Sequence, residues 1–443
     1  LNIKPTYGNI LSIAGPIMLF MFVQNLIGLT DMIFLGRVGL TEFSACGLMS
    51  TFYLFLMMIG FGISRGAQIL IARRLAQNKT EVVGQLVDQL FIVEMVLAVI
   101  LFLFVQFGSH TVLPWFVQDP DVFQAGWTYL DWRSYGIFFS LFGFVLLALY
   151  SGIGRTGIIV WIALVLAGSN VFLNYSLIFG KFGLPEMGIA GAGLASSISE
   201  ALSAVAGIIY LIFDPIRKKF GLFTFTGMKR STLRRLSELS TPLVLQNMVG
   251  VGGWFAFIAF IENMGKEALA ISVALKAVYT FYSIPSWGIA SAVNSVVSNA
   301  VGLGKFKLAM LGMRRSTILS IIMTAFLSLT LLVFPEWITS IFTDDPVIFT
   351  GAAKLFWLLI VILMSCSVSV VVLNGMMGAG AVKETLYIEA VTIALYLLYA
   401  YAVINWFELG LAWAWGSEFI YWTVLLILTL IYMRTDHWKT HSI

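Results

Sequence analysis

Residues 62–79 read GISRGAQILIARRLAQNK, and residues 288–305 read GIASAVNSVVSNAVGLGK, 226 positions later. Two other landmarks keep that offset. Pro16 in GPIML corresponds to Pro242 in TPLVL, and Gly152 and Gly154 in SGIGR correspond to Gly378 and Gly380 in MGAGA. Matches held in one register mark an internal repeat, so the chain divides into two similar halves. The pair Gln24-Asn25 and Gln246-Asn247 sits one helical turn out of that register and does not count toward it.

Each half is filled with apolar sequence. Of 443 residues, 60% are hydrophobic and 11% are charged, too little polar surface for a water-soluble chain of this length. Twelve runs reach the ~20 residues that a bilayer crossing needs. They are 10–37, 45–72, 87–107, 125–152, 157–180, 188–213, 236–261, 268–301, 312–335, 352–378, 385–406 and 409–433. Outer-membrane barrel strands are alternating segments of ~10 residues, so these runs are helices. The expected fold is an all-α polytopic membrane protein with twelve transmembrane helices in two six-helix lobes. Six spans per half start both repeats on one side of the membrane, so a pseudo-two-fold axis runs along the membrane normal. Secondary transporters use this design. The expected boundaries are 1–213 for the N-terminal lobe, 214–235 for a basic cytoplasmic linker, and 236–443 for the C-terminal lobe with a short cytoplasmic tail.

The net charge of +4 comes from Lys and Arg concentrated in alternate loops, for example Arg73, Arg74 and Lys79, then Arg217 to Arg235, then Lys305 to Arg315. The positive-inside rule places these loops and both termini in the cytoplasm. This pattern belongs to membrane topology, and no nucleic-acid partner is expected. Cys46 and Cys366 lie in or beside spans, which argues against a disulfide framework. His110, His437 and His441 are scattered, so no histidine metal site is expected. The first apolar run is too long for a cleavable signal peptide and ends in GRVG. The sequence holds no GxxxxGK[ST] loop for ATP and no HExxH or GxSxG signature of an intramembrane enzyme, so neither ATP drive nor catalysis is expected.

Charges at membrane depth cost a few kcal/mol and are functional candidates by default. Span one runs outward, and Asp31 lies about seven residues before its outer end. Span five, in SNVFLNYSLIFG, carries Asn170 and Asn174 on one helix face. Span six, in GIAGAGLASSISE, carries Ser196, with Glu200 one turn deeper. Counted by depth, Asp31, Asn170, Asn174, Ser196 and Glu200 meet in the outer half of the first lobe. Such an oxygen-rich group suits a sodium ion, and its carboxylate equally suits a proton. The plainer reading is interhelical hydrogen bonding without a transport role. Arg65 and Glu94 are expected to form a structural ion pair near the inner side. Lys276 and Glu418 lie at similar depth in the second lobe, either as a structural pair or as charges of a substrate cleft. Glu262, Glu384 and Glu389 are expected to be solvated at span ends. Pro16 removes a backbone hydrogen bond about four turns before Asp31 and is a candidate hinge.

In PIMLFMFVQNLIGLTDMIFLGRVG, GISRGAQILIARRLAQ, LALYSGIGRTG, NVFLNYSLIFG and GIAGAGLASSIS, the chain resembles the multidrug and toxic compound extrusion (MATE) family of bacterial type. The resemblance spans the whole chain. It implies antiport, in which protons or sodium ions enter and small amphipathic organic compounds leave. It also implies a first-lobe cation site at Asp31, Asn170, Asn174 and Ser196, with Ala192 as a carbonyl ligand, and a bending proline at Pro16. Some members carry a second aspartate in span five, where this chain has Asn174. Others use acids in spans seven and ten, which fall on Gly250 and near Ser367 here. Weight therefore rests on Asp31. The alternative is a flippase for lipids or lipid-linked saccharides, which would line its cleft with several cations. A monomer in contact with membrane lipids, and no cofactor beyond the coupling ion, complete these expectations.

Overall fold

The computed structural model describes residues 3–115, 117, 119–225, 229–340, 346–435 and 437–439. His441 and linker residues 226–228 lie outside the described residues. Twelve described helices are long and apolar enough to cross a membrane: α1 Tyr7–Gly36, α2 Leu40–Ala76, α3 Thr80–Val112, α4 Pro120–Gly152, α5 Gly157–Ile178, α6 Gly188–Phe213, α7 Arg230–Glu262, α8 Lys266–Gly302, α9 Phe306–Val333, α10 Phe356–Ala379, α11 Val382–Trp406 and α12 Leu411–Arg434. The chain is thus an all-helical, multi-pass membrane protein.

The chain forms two compact units. Leu19–Val244 is the N-terminal unit; Leu1–Met18 and Leu245–Ile443 together are the C-terminal unit. The divisions fall inside α1 and α7, close to Pro16 and Pro242, and not in the segment 214–235. Local contacts give the reason. The Ile3 amide donates to Asn299 Oδ1 at 3.1 Å, and Arg315 Nη1 donates to the Pro5 carbonyl at 2.9 Å, which ties the start of the chain to the C-terminal unit. The start of α7 is tied to the N-terminal unit, where Ser240 Oγ donates to the Ile63 carbonyl at 3.1 Å. Gly62 and Gly66 make that approach possible. A Cβ at Gly62 would meet Val244 Cα at 2.8 Å, and one at Gly66 would meet Ser240 Cα at 3.0 Å. Small residues four apart let membrane helices pack backbone to backbone.

The same device builds the centre of the N-terminal unit. In GIAGAG, a Cβ at Gly191 would press on the Leu177 carbonyl at 2.7 Å, and one at Gly193 would meet Arg133 N at 3.3 Å. Helix α6 therefore lies tight between α5 and α4. Helix α4 is interrupted by a 3-10 turn at Ser134–Gly136. Ser197 seals this break: its Oγ donates to the Trp132 carbonyl at 2.7 Å and accepts from the Gly136 amide at 3.1 Å.

Candidate functional site

Three helices of the N-terminal unit converge on Asp31, which α1 carries among Leu, Ile and Phe. Asn174 of α5 donates through Nδ2 to Asp31 Oδ1 and to Asn170 Oδ1, the latter at 3.0 Å. Ser196 of α6 donates through Oγ to Asp31 Oδ2 at 3.2 Å and accepts from Asn170 Nδ2 at 3.1 Å. All four side chains are buried, with Asp31 at 5% exposure and Asn174 at 0%. The i, i+4 spacing of the asparagines sets them one turn apart on α5, so their amides chain together in front of the carboxylate. Both Asp31 oxygens are therefore bonded, each by an uncharged donor. Among the described residues Asp31 has no ion-pair partner. Asn174 Oδ1 is buried without a hydrogen-bond partner. Ala192 lies one turn before Ser196 on α6 and joins the apolar cluster with Leu35, Cys46 and Tyr129.

Glu200 departs from the expected grouping. Both of its oxygens are held by Arg133, at 2.8 Å from Nη1 and 2.5 Å from Nη2. The guanidinium also lies over the Tyr53 ring, 4.0 Å from its centroid. This bidentate arrangement uses the fork geometry of arginine and leaves Glu200 with no free charge for a cation site. Arg133 is the residue that sequence reasoning missed. Its signal was a cation in DWRSYG, in the middle of span four.

The expected pair of Arg65 and Glu94 is not formed. Glu94 accepts from Ser64 Oγ at 3.0 Å, and its Oε2 is buried without a hydrogen-bond partner. Arg65 lies 5.6 Å from the Phe61 ring centroid. Successive helix residues point about 100° apart, so turning Ser64 toward Glu94 turns Arg65 away.

In the C-terminal unit Lys276 and Glu418 also do not pair with each other. Lys276 Nζ lies 5.1 Å from the Trp254 ring centroid, and Glu418 accepts from the Tyr396 hydroxyl at 2.8 Å. Glu389, expected at a solvated span end, is 4% exposed. It accepts from the Tyr421 hydroxyl and from Gln246 Nε2. A Cβ at Gly250 would lie 3.7 Å from Glu389 Oε1, so α11 brings a carboxylate beside a position that α7 leaves empty. Glu262 is exposed, in accord with its place at a helix end. Both cysteines are free and buried. Pro16 lies inside α1, which continues unbroken for 30 residues.

Comparisons with known proteins give the family and the fold. The MatE family model matches residues 16–176 and again residues 242–402, so the second match repeats the first at the 226-residue offset. A relative from Thermotoga maritima described as a probable multidrug resistance protein NorM is 24% identical over 441 residues, covering 98% of this chain and 93% of that protein. The multidrug resistance protein NorM of Photobacterium profundum is 22% identical over 401 residues, covering 90% of this chain and 86% of its own. Among solved structures, a multidrug resistance MATE family transporter in an outward-facing conformation superposes with a TM-score of 0.91. It is 19% identical and covers 99% of this chain and 97% of its own. A transporter of the MOP superfamily from Pyrococcus furiosus also gives 0.91, at 18% identity and the same coverage. At these identities the superpositions speak for the fold.

Proposed function

The chain belongs to the MatE family, and from that premise we propose that it is an antiporter that exports small amphipathic organic compounds in exchange for protons or sodium ions. The relatives are named for multidrug resistance, which supports organic compounds as the substrate class. The observation that carries the coupling role is Asp31, a buried carboxylate whose two partners are an amide and a hydroxyl. A charge with no cation in contact is expensive inside a membrane and is relieved by taking up a proton or a metal cation.

The donor set fits either ion. With Asp31 charged, Asn174 Nδ2 and Ser196 Oγ donate to it. Once Asp31 is neutralised, rotation of the Asn174 amide turns Oδ1 toward the carboxyl group, and that is the atom left without a partner here. In that orientation Oδ1 accepts from a protonated Asp31 or joins the Asp31, Asn170 and Ser196 oxygens around a hard cation. Ion uptake thus changes how α1 is held against α5 and α6. We assign the hinge role to Pro16, which lies two residues before α1 passes from one unit to the other. Export then requires that ion and substrate favour different states of the carrier.

The flippase alternative asks for several uncommitted cations lining a cleft at membrane depth. Arg133 is bound to Glu200 and Lys276 is stacked on Trp254, which supports export. Glu418 and Lys276 we assign to the interior of the C-terminal unit. The test is transport in vesicles with imposed sodium and pH gradients. Asp31→Asn is expected to abolish gradient-driven export while the protein stays folded. Unchanged export in that variant removes Asp31 from the mechanism, and the gradient that drives the native protein identifies the ion.

A further inference from the structure

A cavity of about 260 Å³ opens at one end of the N-terminal unit, where α2 gives way to α3 and where α7 begins. Arg74, Lys79, Lys229 and Arg235 line it, together with Gln85 and Thr232. Among the described residues no carboxylate does. The nearby acids are committed or turned away. Asp88 accepts the amides of Phe223 and Phe225 at 2.6 and 2.9 Å, Glu238 pairs with Arg234, and Glu81 in the first turn of α3 does not reach the lining. Arg74 is buried, and the like charge of Arg235 acts on it. Four cations gathered around one cavity, one of them buried, make it favourable for an anion.

The backbone points the same way. Lys79 precedes the first turn of α3, and Lys229 precedes the first turn of α7. Two long helices thus begin beside one cavity, and their positive dipole ends favour an anion there. Gln85 Oε1 is buried with no hydrogen-bond partner, an acceptor available to a hydroxyl of the ligand. The linker is fitted to the site as well. Asp88 clasps residues 223 and 225, and a Cβ at Gly84 would collide with the Phe220 carbonyl, so the linker is held against α3 just before Lys229.

We propose that this pocket binds a phosphate group, carried either by the headgroup of an anionic lipid or by a small soluble phosphate. Its position at the ends of two membrane spans puts it within reach of headgroups, where each Lys or Arg strengthens binding to anionic lipid. Binding would tie the start of α7 to the α2–α3 turn.

The test uses the purified full-length protein and two probes, short-chain phosphatidylglycerol and inorganic phosphate, with dissociation constants from native mass spectrometry and thermal shift. Lys229 and Arg235 are exposed, and the double variant Lys229→Gln, Arg235→Gln is expected to keep the native elution profile and melting temperature. It should bind phosphatidylglycerol about tenfold more weakly or worse. Lys305→Gln with Lys307→Gln, on basic residues of the other unit, should leave that affinity unchanged. Phosphate binding that depends on Lys229 and Arg235, without lipid binding, identifies a soluble ligand for the same site. If neither probe is weakened in the pocket variant, or if the control pair weakens binding as much, the pocket is overturned. If the double variant fails to fold, Lys79→Gln alone is measured by the same criterion.

Discussion

Asp31, Asn170 and Ser196 of the N-terminal unit have counterparts in the C-terminal unit. Phe257 and Tyr396 stand 226 residues after Asp31 and Asn170, and the segment GLAWAW at 410–415 echoes GIAGAG at 188–193, which puts Glu418 in the place of Ser196. The first unit takes its carboxylate from its first helix and surrounds it with amides and a hydroxyl. The second takes it from its last helix and caps it with a phenol. The counterpart of Asp31 there is a buried Phe257, packed 5.6 Å from the Tyr396 ring and 5.9 Å from that of Trp415. The repeat kept a buried carboxylate in each unit but moved it to another helix and changed its partners. Around Asp31 two amides and a hydroxyl can turn oxygens toward a cation, whereas Glu418 has the Tyr396 hydroxyl as its one bonded group among the described residues.

The sharpest way to break this comparison is to neutralise each carboxylate in turn. Asp31→Asn should abolish gradient-driven export in vesicles, whereas Glu418→Gln should keep it within about fivefold, the low end of typical coupling effects. Equal losses would show that both places couple. Next comes Arg133→Gln, which strands Glu200 and should lower unfolding stability by about 3–5 kcal/mol, as removal of one partner of a buried pair does. Thermal denaturation in detergent reads this, and replacing both partners by apolar residues should recover most of the loss. A smaller effect is expected from Asn174→Ala, which removes one donor to Asp31 and the spare acceptor. Export should fall about tenfold, within the range of single coupling contacts, and unfolding stability should fall by about 1–3 kcal/mol for the lost donor. Smallest is Tyr396→Phe, which takes the phenol from Glu418 and should cost about 1–3 kcal/mol in unfolding without changing which gradient drives transport.

These outcomes also bear on how much of the site was legible beforehand. Depth is one-dimensional and can be counted at 1.5 Å per residue. That count brought Asp31, Asn170, Asn174 and Ser196 together, and all four are joined by hydrogen bonds. It failed where direction around the helix mattered. Glu200 has suitable depth but turns toward Arg133 at the break in α4. Arg65 and Glu94 share a level, yet the neighbouring Ser64 takes the carboxylate. Glu389 sits two turns inside α11 and is covered by Tyr421 and Gln246, which come from other helices.

The sequence by itself determined the membrane class, the twelve spans and the two-fold repeat. Apolar length and a fixed offset are properties of the chain alone. It also determined that Asp31 needs a reason, because a carboxylate in hydrocarbon is costly in any fold. Only the tertiary structure decided which charges are held by charged neighbours and which by uncharged ones. It also decided that α1 and α7 are shared between the units. Both outcomes depend on helix rotation and on glycine-mediated approach, and these are set by packing between segments far apart in the chain.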